Sequence, residues 1–440
     1  MMKRTIKSFD GTEKINGYIE RPEKYVDLFK IINTSDECIA RGAGLSYCAS
    51  SAGNDITSID FTKFDRILEF DEINGIIRVE AGITIGCFLQ IIIQKGWNFK
   101  VIPGYPSLTI GGCVAFNVHG KSQFNIGKFG DHIKSLTLYH PAYGELICSD
   151  KLNKDVFDLT LGGFGLTGII LDVTLGLTPL NGNSITRNKI NCTNLSDSVE
   201  KMILNKAEYE SVYSWNNLNF KGKNFGKGII YLEKYMNSSL PVHLYNYNRL
   251  DSDKRGKLTI GILNKLTVDL MCILYYSKEL ILPSSTIMNI TESAFPIYGK
   301  ELYYHFFGKQ GFREYQLIVP EIKASNFFYD LQKLIEKFRI PVALGSLKLF
   351  QGEKKHLNFC QDGVCLAIDV PADTKSIIFF SKIDELVIKN DGIANLSKDS
   401  RLPSKAISMM YNQFEVFKTE LLRFDPKRHF NSSLRKRIEV

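Results

Sequence analysis

Along the first 180 residues, short apolar runs alternate with polar positions and are interrupted by glycine. The segment ECIARGAG predicts a strand that leads into a loop, and RILEFDEINGIIRVEAG predicts a β-hairpin. In the hairpin, Asn74 and Gly75 are expected to supply two positive-φ residues to a tight turn. TIGCFLQIIIQKGW predicts a helix that Gly96 closes, and DVFDLTLGGFGLTGIILDVTLGLTP predicts a glycine cluster that enters a long strand.

The pattern changes after Pro179. The segment ASNFFYDLQKLIEKF has helical spacing and presents one apolar face, made of Phe327, Phe328, Leu331, Leu334, Ile335 and Phe338. Strands are predicted for GFREYQLIVP, ALGSLKLFQ and VCLAIDVPA. In the first of these strands, Tyr315, Leu317 and Val319 alternate with Glu314, Gln316 and Ile318. This alternation predicts a sheet with one face on a core and the other on a polar cavity, within an α+β chain.

Composition restricts the class of protein. With 44% hydrophobic and 23% charged residues in 440, the chain is globular and long enough for two or three domains. The net charge of +8 is spread over the sequence, with its densest cluster in LRKRIEV at the C-terminus. A solvated surface is the favoured interpretation and an anionic partner the alternative. Because no nucleic-acid recognition module is present, we expect no nucleic-acid partner.

The sequence predicts a cytoplasmic protein. The segment MMKRTIKSFDGTEK contains no apolar run, so no signal peptide is predicted. The most apolar stretch, residues 258–283, is interrupted by Lys265, Asp269, Lys278 and Glu279 and is not expected to span a membrane. It is interpreted as a mobile amphipathic segment over a pocket or against the inner membrane face, or else as a buried helix. The nine cysteines favour reduced thiols, and no metal site is predicted.

Three glycine-rich segments are the main chemical signal. They are RGAGLSYCAS (residues 41–50), IPGYPSLTIGGC (102–113) and LGGFGLTGII (161–170). Glycine lets backbone N–H groups converge on an anion without obstruction by a Cβ atom. Three such loops within 130 residues therefore favour a site for a long cofactor with a pyrophosphate, and three structural turns remain the alternative.

The order and detail of these loops resemble the flavoproteins of vanillyl-alcohol-oxidase type, which bind FAD between two small α+β subdomains. RGAGLSY is similar to the pyrophosphate loop of that family, PGYPSLTIGGCVAFNVHG to its second FAD loop, and GGFGLTGII to the segment over the adenine. Further segments extend the likeness almost end to end, although it is weakest between residues 181 and 300. They include VHGKSQFNIGKFGDHI, SKDSR and FDPKRHFNSSLRKRIE. Within the family, the likeness is strongest to an oxidase that acts on a sugar hydroxyl carried by a lipid, in the first half of an epimerisation.

The resemblance implies an FAD-binding domain of PCMH type plus an antiparallel-sheet-and-helix substrate domain. The FAD-binding domain would comprise residues 1–178 and a C-terminal return over 393–440, with the substrate domain over 179–392 between them. The implied function is FAD-dependent oxidation of a secondary sugar hydroxyl, with a polyprenyl-phosphate-linked pentose as the first substrate. Such a reaction would serve a cell-wall polysaccharide precursor, with a short-chain reductase as partner. The alternatives are a soluble alditol or aldonolactone oxidase and a non-catalytic flavin-binding partner protein.

The resemblance also implies which residues contact FAD. They are Arg41, Gly42, Ala43, Gly44, Leu45, Ser46, Tyr47, Gly104, Thr109, Ile110, Gly111, Gly112, Phe116, Asn117, His119, Gly168, Ile169 and Asn395. Many relatives carry a histidine at the position of Leu45 that bonds covalently to the flavin. Because leucine has neither a thiol nor an imidazole, we expect FAD to be bound non-covalently.

Catalysis needs a base for the hydroxyl proton while the flavin takes a hydride. Lys398 in SKDSR is the first candidate base, with a charged positioning role as its alternative, and Tyr47 and His119 are reserves. The resemblance implies that His119 lies in the pocket, where it could hydrogen-bond the substrate, with a histidine satisfied by backbone as the alternative. Asp399 is expected to point away from Lys398 toward Arg401. The substrate contacts implied are Lys121, Glu314, Gln316, Lys348 and Cys365. The chain departs from its relatives at Glu314 (glutamine there), Asn395 (tyrosine) and Ala367 (cysteine), which leaves the substrate open.

Overall fold

The N-terminal segment forms a small mixed sheet. The computed structural model describes residues 2–241 and 261–440. The first elements are β1 (Lys3–Lys7), β2 (Lys14–Glu20), α1 (Tyr25–Thr34), β3 (Cys38–Arg41) and β4 (Thr57–Asp60). The strands pair in the order β1-β2-β4-β3, with β1 antiparallel to β2 and with β4 parallel to both β2 and β3. β4 is buried along its whole length, as expected for the inner strand of a covered sheet.

A second, antiparallel sheet follows in sequence. Its elements and the helices between them are β5 (Ile67–Asp71), β6 (Ile76–Glu80), α2 (Ile85–Gln94), β7 (Trp97–Asn98), α3 (Ile110–Ala115), α4 (Gln123–Ile126), β8 (Ile133–His140), β9 (Gly144–Ser149), α5 (Lys154–Thr160), β10 (Ile169–Gly176) and β11 (Thr178–Pro179). Five strands pair in the order β5-β6-β10-β8-β9, and β7 pairs separately with β11. One hydrophobic core joins the first two sheets. The loops that precede α3 and β10 carry the second and third glycine clusters.

The local predictions for this half are largely confirmed. Helix α2 begins after Thr84, whose side chain accepts a hydrogen bond from the amide of Cys87, and Gly96 beyond its end has a φ of +77°. The hairpin between β5 and β6 is present, but its turn differs from the prediction. Gly75 has a positive φ and Asn74 does not. The carboxylate of Asp71 instead accepts the amides of Ile73 and Asn74, which holds a longer loop.

The remaining chain forms a large antiparallel sheet. Its elements are β12 (Ser184–Cys192), α6 (Leu195–Asn205), β13 (Ser211–Asn217), β14 (Lys227–Met236), α7 (Lys265–Ile281), β15 (Ser285–Asn289), α8 (Ile290–Ala294), α9 (Leu302–His305), β16 (Phe312–Val319), α10 (Glu321–Phe338), β17 (Leu344–Phe350), β18 (Gly363–Pro371), α11 (Thr374–Lys389) and β19 (Ile393–Ala394). In the described ranges, eight strands pair in the order β15-β12-β14-β13-β17-β18-β16-β19.

The two faces of this sheet differ as the strand pattern predicts. Tyr315, Leu317 and Val319 of β16 lie in a core shared with α10 and α11. Helix α10 contributes its predicted apolar face, with Phe327, Phe328, Leu331 and Ile335 buried and with Leu334 and Phe338 partly buried against them. The alternate residues of β16, Glu314 and Gln316, line a cavity on the other face. The period-2 pattern therefore separates a packed face from a polar one.

Helix α7 lies within the apolar stretch of residues 258–283, whose first three residues fall outside the described ranges. Val268 and Cys272 are buried against Trp215 and Tyr231, on the cavity side of the sheet. The opposite side of the helix leaves Leu266, Leu270, Leu274 and Ile281 exposed. The helix therefore packs on the sheet along one side and is exposed along the other. Its predicted mobility stays a prediction.

The C-terminal segment returns to the first sheet. It contains α12 (Ser404–Met410), α13 (Phe414–Phe424) and α14 (Ser433–Ile438). The backbone of Cys38 in β3 exchanges hydrogen bonds with His429 and Asn431. The boundaries near residues 178 and 393 stay predictions.

Two further observations concern the helices and the cysteines. None of the helices in the described ranges is long and apolar enough to cross a membrane. All nine cysteines lie in those ranges and are free thiols, as predicted.

Candidate active site

A cavity of about 430 Å³ lies between the three glycine-rich loops and the polar face of the large sheet. This volume falls within the range of about 300–1,000 Å³ that is usual for ligand sites. The three loops contribute residues from Gly42–Tyr47, from the second cluster and from Phe164, Gly165 and Gly168. The sheet contributes side chains of β13, β16, β17 and β18. Segments from both halves of the chain therefore enclose one space.

The first loop presents free backbone donors. In the described parts of the chain, none of the amides of residues 42–46 donates a hydrogen bond to another residue. Gly44 has a φ of +68°, and a Cβ atom built there would lie 2.2 Å from the guanidinium of Arg41. Buried Arg41 donates to Ser51 and supports the loop from beneath without lining the cavity. Because buried N–H groups require acceptors, the loop fits an anionic ligand.

The second loop leaves room beside it. A Cβ atom built at Gly104 would meet no described atom within 4 Å. At Gly42, by contrast, a Cβ atom would lie 2.2 Å from the Oγ1 atom of Thr109, so the first two loops are in close contact. The free amides, the open space and the close contact between the loops fit a long cofactor that contains a pyrophosphate, such as FAD.

Most predicted FAD contacts line this cavity. They are Gly42, Ala43, Gly44, Leu45, Ser46, Tyr47, Gly104, Thr109, Gly111, Gly112, Phe116, Asn117, His119, Gly168 and Asn395. Arg41, Ile110 and Ile169 do not line it. Both isoleucines are fully buried in the core of the first two sheets, and the amide of Ile110 donates to Ile83.

His119 is held as a neutral imidazole. Its Nδ1 atom lies 3.1 Å from the carbonyl oxygen of Gly120, and its ring packs edge-on against Phe350. Burial, together with the charge of the neighbouring Lys348, lowers the pKa of His119 to about 3. An Nδ1–H group that donates to Gly120 leaves Nε2 as an acceptor, and the side chain of Gln316 is within hydrogen-bonding reach of the ring. This arrangement suits hydrogen bonding to a substrate hydroxyl better than proton removal.

Lys121 lines the cavity but is already engaged. Its Nζ atom donates to the carbonyl oxygen of Ser293 at 2.5 Å and lies 3.4 Å from Glu233 Oε1. Arg187 pairs with the same carboxylate, and Tyr213 donates to it. Burial lowers the pKa of Lys121 to about 8. The predicted contact with a substrate phosphate therefore has to compete with Glu233.

Lys348 has fewer polar contacts than Lys121. It projects from β17 into the cavity, and in the described residues it forms neither an ion pair nor a hydrogen bond. Burial lowers the pKa of this lysine. Its cross-strand neighbour Cys365 is buried and does not line the cavity, and burial raises the pKa of that thiol to about 12. An anionic group of a ligand at this position would give the ammonium of Lys348 an ion-pair partner.

Lys398 occupies the junction between loop and sheet. Its Nζ atom lies 3.6 Å from the ring centroid of Tyr47 and 3.5 Å from Glu314 Oε2. Tyr47 is buried, which raises the pKa of its phenol well above 10, so it keeps its proton at neutral pH. Asp399 points away and pairs with Arg401 at 3.0 Å, as expected.

Asn395 positions this loop against the sheet. Its side-chain amide donates to Gln316 Oε1 at 2.6 Å, and its backbone amide donates to the carbonyl oxygen of Gln316. The amide and hydroxyl of Ser397 donate to Asn395 Oδ1. The asparagine therefore fixes the orientation of Gln316 and of the turn that carries Lys398.

Sequence reasoning missed one acidic residue. Asp369 in β18 lies directly opposite Glu314 in β16 and accepts a hydrogen bond from Tyr303 at 2.8 Å. Burial and the neighbouring Glu314 raise the pKa of Asp369 well above its usual value. The strand pattern in CLAIDVP could have indicated this residue. Asp369 lies two positions after Ala367 and therefore on the same face of the strand.

Comparison with known proteins agrees with this geometry. A family model for an FAD binding domain matches residues 18–149. Decaprenylphosphoryl-beta-D-ribose oxidase of Mycolicibacterium smegmatis is 27% identical over 417 residues, which cover 91% of this chain and 89% of that protein. L-galactono-1,4-lactone dehydrogenase of Arabidopsis thaliana is 25% identical over 39% of this chain and 28% of its own length. D-lactate dehydrogenase of Anaerostipes hadrus is 27% identical over 31% of this chain and 30% of its own.

The matched domain contains the first two glycine loops, and the long match extends over the polar sheet face as well. The α+β fold, the cavity and its free amides fit the same cofactor. The chain is thus an FAD-dependent oxidoreductase with an FAD-binding domain, and it is similar over most of its length to the FAD-linked oxidases of vanillyl-alcohol-oxidase type, which act on CH–OH groups.

Proposed function

We propose that this protein oxidises a secondary hydroxyl group of a sugar, with a polyprenyl-phosphate-linked pentose as the first candidate substrate. The observation that carries the proposal is the polar sheet face opposite the FAD loops. Glu314, Gln316, Ser346 and Lys348 line the cavity there. Several hydrogen-bonding groups and one unpaired cation on a single face suit a ligand with several hydroxyl groups and an anionic group.

The chemistry divides between cofactor and protein. Bound FAD would supply the acceptor for the carbon-bound hydrogen and its electron pair. His119 and Gln316 would orient the sugar hydroxyls through hydrogen bonds, and the loop that carries Asn395 would keep them in place. Of the two roles considered for Lys398, its contacts with Tyr47 and Glu314 favour that of a positioned cation.

Lys348 is the proposed contact for the substrate phosphate. It has no anionic partner among the described residues, whereas Lys121 is held by Glu233 and Ser293. A phosphate beside Lys348 would favour its charged form, in the direction opposite to burial. The phosphate would thereby help to fix which sugar hydroxyl faces the flavin.

The relatives support the substrate class to different extents. The relative whose match covers 91% of this chain is named for a decaprenylphosphoryl-linked ribose, and its match includes the substrate-facing strands. The lactone dehydrogenase covers 39% of the chain. A role as the oxidase component of an epimerase, with a short-chain reductase partner and a cell-wall precursor as product, follows from the first likeness. A soluble alditol or aldonolactone oxidase is the runner-up and follows from the second.

Anaerobic flavin reduction tests the proposal directly. The holoenzyme is mixed in the absence of oxygen with polyprenyl-phosphate-linked ribose or arabinose, and in parallel with the free pentoses, alditols and aldonolactones. We expect the flavin absorbance to bleach fastest with a lipid-linked pentose. Faster bleaching by an alditol or a lactone would establish the runner-up instead. Absence of bleaching with every compound would contradict both.

A further inference from the structure

Two carboxyl groups meet on neighbouring strands at the edge of the cavity. Glu314 in β16 is the direct cross-strand partner of Asp369 in β18, and both are buried, at 8% and 2% exposure. Asp369 Oδ2 accepts the Tyr303 hydroxyl, while Oδ1 has no hydrogen-bond partner in the described residues. Like charges at directly opposed positions of a sheet repel each other. The pair is therefore expected to hold one proton at neutral pH.

The titratable groups around this pair are otherwise cationic or phenolic, apart from the buried thiol of Cys365 on β18. They come from the loops, from α9 and from β17, and they are Lys398, Tyr47, Tyr303, Tyr304 and Lys348. Lys398 alone lies within ion-pair distance of Glu314 among the described residues. The two carboxyl groups also differ in access, because Glu314 lines the cavity and Asp369 does not. An incoming hydroxyl group would thus meet Glu314 first.

We propose that Glu314 is the catalytic base, which accepts the proton of the substrate hydroxyl while Asp369 retains the proton of the pair. This inference rests on the proposed function. A glutamate is ordinarily ionised at neutral pH and has free lone pairs, whereas a lysine ordinarily carries its proton and has none. The relatives' glutamine at this position cannot accept a proton in this way, so the base would be a feature of this chain.

The step balances without a further reactant. The hydroxyl O–H bond breaks and its proton passes to Glu314. The electron pair left on oxygen forms the carbonyl bond as the carbon-bound hydrogen leaves with its two electrons to the bound FAD. Lys398, which touches Glu314, lies where its charge would stabilise the oxygen during the transfer. The proton then leaves Glu314 for solvent once the ketone product has dissociated.

The first test compares Glu314→Gln with the wild-type holoenzyme in anaerobic flavin reduction between pH 5 and pH 9. Glutamine keeps the shape of the side chain and cannot take the proton. We expect a loss of about 100-fold or more at pH 7, the lower end of general-base contributions. The acid limb of the pH profile should also disappear. Glu321→Gln, an exposed carboxylate on α10, is the matched control and should leave rate and profile unchanged.

The second test uses thermal unfolding against pH and does not depend on turnover. A carboxyl group with a raised pKa in the folded state destabilises the protein once it ionises, so wild-type stability should fall as pH rises through that pKa. In Glu314→Gln the repulsion is gone, so this fall should be smaller and should end at a lower pH. An unchanged stability profile would contradict the shared proton. Glu314→Asp, which keeps the charge, serves if the glutamine variant does not fold.

The outcomes separate the two proposals. No flavin reduction in the wild type with any sugar would contradict the proposed function. Reduction in the wild type that persists at a similar rate in Glu314→Gln would overturn the catalytic-base assignment alone. A hundredfold loss that Glu314→Asp partly restores would support it, since aspartate can still accept the proton.

Discussion

At the residue scale, the position of Lys398 between an aromatic ring and a carboxylate limits what it can do. Its Nζ atom is 3.6 Å from the Tyr47 ring centroid and 3.5 Å from Glu314. Both contacts are ones that an ammonium group makes. A charged lysine can orient the substrate and stabilise a developing oxyanion, and it leaves proton removal to another group.

Lys398→Ala should therefore lose at least about 100-fold in flavin reduction while FAD stays bound. Lys398→Arg should keep a substantial part of the activity, because guanidinium also carries a positive charge and stacks on aromatic rings. Stopped-flow reduction and FAD content would be measured for both variants. Equal loss in the two variants would argue for lysine itself as the base, and near-normal reduction in the alanine variant would remove Lys398 from the mechanism.

The neutral state of His119 leads to a second prediction. Its lowered pKa of about 3 means that the folded protein resists protonation there, while the unfolded chain takes up a proton near pH 6.5. Stability should thus fall as pH drops from about 6.5 toward 3. His119→Gln should reduce this acid sensitivity, retain FAD and keep more sugar turnover than His119→Ala. Loss of FAD from both variants would show that the histidine is structural.

At the element scale, the first glycine loop works through its backbone, and a matched pair of glycines can show it. Gly44 and Gly144 have nearly the same φ, +68° and +69°. A Cβ atom at Gly44 would collide with Arg41 beneath the loop, whereas one at Gly144 would meet nothing within 4 Å. An alanine would therefore meet the same backbone strain at both positions, but it would collide with a neighbouring side chain only at Gly44.

Gly144→Ala should destabilise the fold by about 1–2 kcal/mol and bind FAD normally. Gly44→Ala should in addition displace the loop amides and weaken FAD binding at least about tenfold, a loss of 1.4 kcal/mol or more. Titration of the apoprotein with FAD, followed by flavin fluorescence, measures the difference. Equal affinities in the two variants would mean that the loop does not hold the cofactor.

Helix α7 leaves apolar side chains in solvent on the cavity side of the sheet. Leu270 and Leu274 are 56% and 59% exposed, although the helix is anchored by Val268 and Cys272. Leucines at this spacing form one face. An exposed apolar face beside a substrate cavity suits contact with a polyprenyl chain or with the membrane that holds it.

The double variant Leu270→Ser with Leu274→Ser should keep FAD and the turnover of a short-chain phospho-pentose. Its turnover of a long polyprenyl substrate should fall several-fold, mainly through KM. Ile322→Ser, on α10 at the opposite face of the sheet and 90% exposed, is the control. Parallel losses with short and long substrates would assign the helix a purely structural role.

The elements were more predictable than the site. Period-2 alternation in β16 and helical spacing in α10 are local patterns, and both were confirmed because one face of each element is buried. The engagement of Lys121 by Glu233 could not be predicted, since β14 and the second loop are more than 100 residues apart. Asp369 was missed for a similar reason, because its pairing with Glu314 depends on strand register.

At the scale of the whole molecule, both halves of the chain contribute to one cavity, so the cofactor should link them. The loops at residues 42–47 and 104–120 form one wall, and the strands of the large sheet form the other. A ligand that binds only the folded protein stabilises it by about 2.7 kcal/mol at 100 times its Kd. The thermal stability of the holoprotein should therefore exceed that of the apoprotein, and excess FAD should raise it further.

The same cavity predicts how the cofactor is held. Leu45 has no group that can bond to a flavin, and buried Tyr47 keeps its proton. Cys113 is the cysteine that lines the cavity among the described residues, and burial raises the pKa of its thiol well above the ordinary value, which leaves it unreactive at neutral pH. Purified protein should be yellow, and acid precipitation should release FAD quantitatively into the supernatant, where absorbance and mass spectrometry identify it. Flavin that stays with the precipitate would contradict non-covalent binding, and peptide mapping would then identify the attached residue. Colourless protein that takes up no added FAD would contradict the assignment of the cavity itself.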